Sequence, residues 1–335
     1  MEFQIQNPLD MHVHLRDNEM KDLVAPLTSK YFSGALIMPN LVPPVMNKED
    51  VLSYRERIEL VTGDDNFTPF MTLFFHEWLT REMLEEAKDH IMWIKLYPAG
   101  ITTNSEWGVK SVLSEKAMEI FKAMEDLGIV LHIHWETWDF VMDREANFMP
   151  NYLEIAKVFP KLTVIMEHIT TKAAVDTLDM YPNLYATITL QHLEITLDDI
   201  AGWALKPHLF CKPIAKRYED RDALLELALS GHPKVSFGSD SAPHPQHAKE
   251  CPGCAAGVFS APISLQVLTE LFEKHEKLEN LEKFISTNAQ RIYNIKPNKK
   301  TIVLEKKDFI VPEKYWDVVP YRAGNTLEWS IKEVQ

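Results

Sequence analysis

Short apolar runs rich in β-branched residues alternate along this chain with stretches whose apolar positions recur at helical spacing. The runs at Pro8–His14, Ala35–Pro39, Thr68–Phe75, Met92–Tyr97, Ile129–His134, Leu162–His168, Leu184–Thr189 and Lys234–Ser239 have the length and composition of strands. Helical patterns fall between most of them, for example Lys48–Val61, Ser114–Leu127, Tyr152–Phe159 and Asp220–Ser230. In the second of these, Ala117, Ile120, Phe121 and Met124 share one face behind Ser114, a residue type suited to cap a helix.

Eight strands, each followed by helix-capable sequence, predict an α/β fold of the (β/α)8 TIM-barrel type. A doubly wound open sheet would alternate in the same way, but no Gly-rich phosphate loop follows the first strand, and eight strands suit closure. Beyond Ile295 the pattern changes to a tail with apolar segments at Thr301–Leu304, Phe309–Val311 and Thr326–Ile331. The expectation is one barrel domain over 1–335, with a C-terminal extension of about 296–335 packed on it.

Composition narrows the function. Of 335 residues, 46% are hydrophobic and 25% charged, as in a soluble protein with a substantial core. The formal net charge of -14 argues against a broad basic surface for nucleic acid, yet leaves room for an anionic small substrate held by a local arginine. No run approaches the roughly 20 apolar residues of a membrane helix, and Met1–Leu9 lacks the features of a signal peptide. Three cysteines are too few for a disulfide framework, so a reducing, cytoplasmic setting is expected.

Six residues near strand ends then stand out: His12, His14, Lys95, His134, His168 and Asp240. His12 and His14 share one strand face because side chains alternate with period two. His134 and His168 each close an apolar run, where barrel enzymes place catalytic groups. His132 shares a face with His134, so the pattern leaves both open as ligands, and the later position lies nearer the rim. Lys95 interrupts a strand that otherwise reads as buried, a costly place for an ammonium. A neutral amine there can add carbon dioxide and become a carbamate able to bridge two metals. Asp240 can ligate a metal and move a proton. Singly, each has a bland alternative: a hydrogen-bonded strand-end histidine, a snorkelling lysine, a helix-capping aspartate. Together they read as one two-metal site.

The blocks His12-Val-His14-Leu-Arg16-Asp17, Met38-Pro39-Asn40, Lys95-Leu-Tyr-Pro-Ala99, Glu167-His-Ile-Thr-Thr171 and Asp240-Ser-Ala-Pro-His244 resemble the dihydroorotases, in the shorter, bacterial-type branch of the amidohydrolase superfamily. The likeness extends to the tail segment Val319–Trp329. It implies two zinc ions per subunit, His12, His14 and Asp240 holding the more buried one and His134 and His168 the second. A carboxylated Lys95 and a hydroxide would bridge them. The implied reaction is the reversible cyclisation of N-carbamoyl-L-aspartate to L-dihydroorotate in pyrimidine synthesis, with the hydroxide as nucleophile and Asp240 as general acid and base.

The resemblance also implies substrate contacts. Arg16, Asn40 and His244 would hold the substrate carboxylate, Thr102 and Thr103 would reach it from a mobile loop, and Ala256 would meet the ring through its backbone. Lys212, where an apolar residue is usual, would likewise act through its backbone. Trp135 departs from the small residue expected beside the second metal. Cys251-Pro-Gly-Cys254 reads as free thiols in a loop rather than as a zinc site. The likeness suggests a homodimer. The competing readings are a hydantoinase, which would gain nothing from Arg16 and Asn40, and a silent scaffold, which would have no reason to keep all six residues.

Overall fold

Each run that reads as a strand forms one, and the trimmed ends are the residues that carry the chemistry. The computed structural model describes residues 1–63, 65–91, 93–100 and 104–335. Its strands are β1 (Glu2–Gln6), β2 (Leu9–Val13), β3 (Gly34–Ile37), β4 (Thr68–Phe74), β5 (Trp93–Leu96), β6 (Val130–Ile133), β7 (Val164–Met166), β8 (Leu184–Ile188), β9 (Val235–Phe237), β10 (Thr301–Ile310) and β11 (Thr326–Val334). His14, His134, His168 and Asp240 all lie just past the last residue of a strand.

Strands β2 to β9 pair in sequence order, every pair parallel. The seam between β2 and β9 is drawn together at the rim, where the Asp240 amide donates to the His12 carbonyl (2.8 Å) and the His14 amide to the Ser241 carbonyl (3.0 Å). Beneath these bonds the buried Asp10 carboxylate accepts from the Ser239 amide (2.8 Å) and hydroxyl (2.6 Å). The expected TIM-type barrel is the fold observed. Helices cover its outside, as the capping chemistry foretells: Ser114 Oγ accepts from the Ala117 amide at the start of Glu115–Leu127, and Gly128 ends that helix in the left-handed region.

Alternation sorts the apolar residues into two clusters. Leu9, Met11, Leu36, Met38, Trp93, Val130 and Ile165 face inward and pack on Ala289, Tyr293 and Ile295. Their neighbours Val13, Ala35, Ile37, Ile94, Leu131 and Val164 face the surrounding helices. In β2 this alternation slips. Leu9 and Asp10 pair with Gly34 and Ala35, but Val13 pairs with Ile37, so one extra residue is accommodated between Asp10 and Val13. A bulge of this kind re-aims side chains. It lets Met11 face the inner cluster while His12 and His14 face the rim.

The tail forms more than an appendage. β10 pairs with both β1 and β11 in an antiparallel three-stranded sheet. Ile302, Leu304, Leu327 and Trp329 from this sheet join the outer core. The sequence reading did not anticipate β1, because Phe3 and Ile5 are its only apolar residues and its pairing partner lies at the other end of the chain. Among the described residues, no helix is long and apolar enough to cross a membrane.

Trp329 is fully buried and its Nε1 donates to Glu273 Oε2 (2.8 Å). Trp329→Ala should cost about 3–5 kcal/mol, read as a lowered midpoint in chemical denaturation. A loss below about 1 kcal/mol would show that the tail sheet adds little to the core.

Candidate metal and substrate site

Closure of the seam brings strand ends together that are more than two hundred residues apart in sequence. His12 Nε2, His14 Nε2 and Asp240 Oδ1 lie 3.4, 3.1 and 3.3 Å from one another. Four ligands about 2.0–2.1 Å from a tetrahedral zinc stand about 3.3 Å apart, so the three atoms already mark one face of such a polyhedron. Across the rim, His134 Nδ1 and His168 Nε2 are 3.0 Å apart, and the His12 and His168 rings approach to 4.9 Å. Lys95 is fully buried with Nζ 3.8 Å from Glu167 Oε2, and that Nζ has no hydrogen-bond partner among the described residues. All six residues singled out in the sequence are thus brought to one place.

Glu167, which the sequence reading quoted in a motif without giving it a role, organises the cluster. Its two carboxylate oxygens accept from His12 Nδ1 and His132 Nδ1. Holding His12 by Nδ1 leaves the Nε2 lone pair aimed at His14 and Asp240, the arrangement by which a carboxylate orients a ligating imidazole. His132 is therefore removed from the rim: its ring stacks on Tyr293 with centroids 5.5 Å apart. His134 takes the rim position. The bond from the Thr187 hydroxyl to Glu167 Oε2 (3.3 Å) and that from the His168 amide to the same hydroxyl (2.8 Å) tie the pair to β8.

Burial sets the charge states. It would raise the Glu167 carboxyl, but the combined pull of His12, Lys95 and His132 outweighs it and holds the carboxyl well below its usual range. Burial lowers His12 to about 4 and leaves His14 and His168 well below the ordinary imidazole value, so these rings are neutral with lone pairs to give. Lys95 falls to about 8 for the same reason, opposed by Glu167 and Asp240, which brings the neutral amine within reach near physiological pH. Asp240 is raised by burial, against the attraction of His12, His134 and Lys95. Strained backbone is present here too. Arg16, His168 and Asp240 sit at φ of 61, 39 and 45°, a region that costs a non-glycine residue of order 1 kcal/mol or more.

The cluster opens into a cleft lined also by Arg16, Asn40, Tyr97, Lys212, Ala242, Ala256 and Gly257. Arg16 donates through Nε to the Pro243 carbonyl (3.2 Å) and contacts His244 Nε2 through Nη2 (2.9 Å). His244 Nε2 in turn lies 3.0 Å from the Ala256 carbonyl. No carboxylate is within ion-pair distance of Arg16 among the described residues; Asp17, its neighbour in sequence, is instead held by Arg57. Asn40 hydrogen-bonds His14 through its side chain, and its carbonyl accepts from Asn104 Nδ2 (3.1 Å) at the base of the following loop. Thr102 and Thr103, expected on that loop, lie outside the described residues. Tyr97, Ala242 and Gly257 were not anticipated. Tyr97 had a signal in the sequence, standing two residues beyond Lys95 with the same alternation, and its buried hydroxyl has no hydrogen-bond partner among the described residues. Trp135, the expected departure beside the second histidine pair, is partly buried and stacks on Phe148 (5.2 Å). The Cys251 and Cys254 thiols are unpaired and turn toward the Ala248 and Pro207 carbonyls.

Comparison with known proteins agrees with this geometry. A profile described as Amidohydrolase matches residues 71–295. The chain is 44% identical to a dihydroorotase of Helicobacter hepaticus, covering 98% of each. A solved dihydroorotase of Campylobacter jejuni shares 55% identity and a TM-score of 0.95, over 99% of this chain and 98% of that one. A dihydroorotase of Saccharomyces cerevisiae, solved in complex with 5-fluoroorotic acid, shares 34% identity and a TM-score of 0.92 over the same fractions. A parallel barrel with side chains able to hold a metal gathered at its rim, together with the profile match, defines an amidohydrolase, and hence a hydrolytic enzyme. Within that class the chain belongs to the dihydroorotase family.

Glu167→Gln keeps the shape but removes the charge that orients His12. It should weaken retention of divalent metal by about 10–100-fold, measured by competition with a chelator. Unchanged retention would mean that this carboxylate does not prepare the site for a metal.

Proposed function

We propose that this enzyme interconverts N-carbamoyl-L-aspartate and L-dihydroorotate, with loss of water in the direction of ring closure, and that it does so with two zinc ions. The observation that carries the substrate assignment is Arg16: a half-buried guanidinium lining the cleft beside the histidine cluster, with no carboxylate within ion-pair distance among the described residues. A substrate carboxylate would supply that partner through a bidentate fork. Asn40 and His244, on either side of Arg16, would complete its hydrogen bonds. Ala256 and Lys212 would border the ring, and Thr102 and Thr103 would reach the substrate from the loop. The yeast relative solved with 5-fluoroorotic acid, a pyrimidine ring bearing a carboxylate, supports this reading.

The residues fit the metals. His12, His14 and Asp240 would hold one ion and His134 and His168 the other, and imidazole with carboxylate oxygen is a donor set that suits zinc. The fully buried Lys95 amine has no hydrogen bond among the described residues and only a long ion pair to Glu167 (3.8 Å), and conversion to a carbamate that helps to hold the ions would account for its place here. Two such ions lower the pKa of a water held between them and polarise the carbonyl under attack.

The protein's own groups do the rest. In ring opening, the attacking oxygen bonds to the amide carbon and its proton passes to Asp240. The ring C–N bond then breaks, and Asp240 delivers that proton to the departing nitrogen. In ring closure a protonated Asp240 gives its proton to one oxygen of the side-chain carboxylate; the carbamoyl nitrogen then bonds to that carbon, its proton passes through Asp240 to the same oxygen, and the C–O bond breaks to release water. Burial of Asp240, by raising its carboxyl, eases access to that protonated form. Arg16 holds the substrate carboxylate throughout and fixes which carbonyl faces the cluster.

Two outcomes are expected. Arg16→Ala in zinc-loaded enzyme should raise KM for dihydroorotate by roughly 100-fold, the loss of about 2–3 kcal/mol from a charge-assisted pair, while zinc content stays normal. Loss of both together would make Arg16 structural, and a wild-type preference for an unsubstituted hydantoin over dihydroorotate would overturn the substrate assignment. Because ring opening needs Asp240 ionised and ring closure needs it protonated, kcat/KM for opening should rise with pH and that for closure should fall. Parallel pH profiles in the two directions would remove Asp240 from proton transfer.

A further inference from the structure

Lys249 is the last residue of the short helix Gln246–Lys249, beyond the six clustered residues, and it is only 3% exposed. Its ammonium donates to three carbonyls: Phe210 (2.9 Å), Ala255 (2.7 Å) and Gly257 (2.7 Å). Three N–H donors meet three acceptors, and no carboxylate lies within ion-pair distance among the described residues. A buried charge is tolerated only when its hydrogen bonds are satisfied. This one is satisfied entirely by backbone, which makes it a clamp on chain segments rather than an ion pair.

The segments it clamps are those that border the cleft. Ala255 and Gly257 flank Ala256, whose carbonyl turns the other way, to His244 Nε2. Phe210 stands two residues before Lys212, and its carbonyl also accepts from the Gly257 amide (2.9 Å). Gly257 is at φ 154°, and a Cβ there would collide with the Ala242 carbonyl, so this backbone passes as close to the cleft wall as chain can. The same His244 Nε2 stands 2.9 Å from Arg16 Nη2, so a neutral His244 bonds the Ala256 carbonyl or the guanidinium one at a time. A connected series therefore runs from Lys249 through Ala255–Gly257 and His244 to the guanidinium. The charge of Lys249 acts along the same line. His244 is lowered to about 3, first by burial and then by Arg16 and Lys249, and so stays a neutral ring beside Arg16.

We propose that Lys249 is a positioning residue for substrate, holding the backbone on both sides of Ala256 and beside Lys212 so that Ala256, His244 and Arg16 present one binding corner to the carboxylate-bearing ring. The inference rests on the substrate reading above. It assigns Lys249 no contact with substrate and no proton.

The test compares wild type, Lys249→Met and Lys249→Gln as zinc-loaded enzymes, with steady-state kinetics on dihydroorotate, zinc content and thermal midpoint for each. Lys249→Met fills the same space without a donor. It should raise KM by about 10–100-fold, the scale expected when binding groups shift by up to an ångström, with kcat changed less and zinc content kept. Lys249→Gln, with donors on a shorter stem, should fall between Met and wild type, and it carries the test if the Met variant does not fold. Lys249→Ala assayed with added propylammonium should recover part of the lost KM. A KM within twofold of wild type in a folded variant would overturn the proposal. A fall in thermal midpoint without a KM shift, or kcat and KM changing in equal proportion without rescue, would also overturn it. If wild type itself fails to turn over dihydroorotate, the substrate reading fails, whatever the variants do.

Discussion

Barrel closure between β2 and β9 is the constraint on which the rest of this enzyme depends. Asp10 in the first barrel strand accepts from both the amide and the hydroxyl of Ser239 at the end of the last one. Directly above, the Asp240 amide bonds to the His12 carbonyl. These few bonds put Asp240 against His12 and His14. An open sheet of the same strands would leave the aspartate and the two histidines on opposite edges. The buried Asp10 carboxyl, raised to about 7 chiefly by burial, is part of the cost of that closure.

A second constraint is the handling of buried charge. The rim holds a carboxylate between two imidazoles, a lysine with no hydrogen bond among the described residues, and an aspartate raised by burial. Such a group of residues makes a poor core and a good binding site, because each unmet lone pair or amine gains when an ion or a substrate arrives. The neighbouring positive groups divide differently. Arg57 takes up Asp17, Lys249 spends its donors on backbone, and Arg16 keeps its charge facing the cleft. The arrangement separates charges that shape the walls from the charge that can meet a carboxylate.

Much of this was legible in the chain. Strand runs and helical spacing identified the barrel, since alternating elements of those lengths close readily, and Ser114 capped the helix it was expected to cap. The six rim residues were legible because each is the wrong residue type for the end of a buried strand. Glu167 was harder to read. A carboxylate beside a histidine in sequence gives no hint that it will bond to His12 and His132 rather than face outward. His134 was favoured over His132 from the sequence as the position nearer the rim, and the structure shows His132 drawn down onto Tyr293 and Glu167. β1 was invisible because its pairing energy comes from β10, across nearly the whole chain.

The sequence by itself therefore determined the kind of fold, the residue types at the rim and the likeness to a family, because periodicity, burial preference and motif spacing are local properties. The tertiary structure alone decided which nitrogen of each imidazole faces the site, that β2 slips by one residue so that His12 and His14 point to the rim, and that Arg16 has no carboxylate within ion-pair distance among the described residues. Those features depend on distances between residues far apart in the chain. Local sequence cannot encode such distances until the barrel closes and the two ends of the sheet are made to meet.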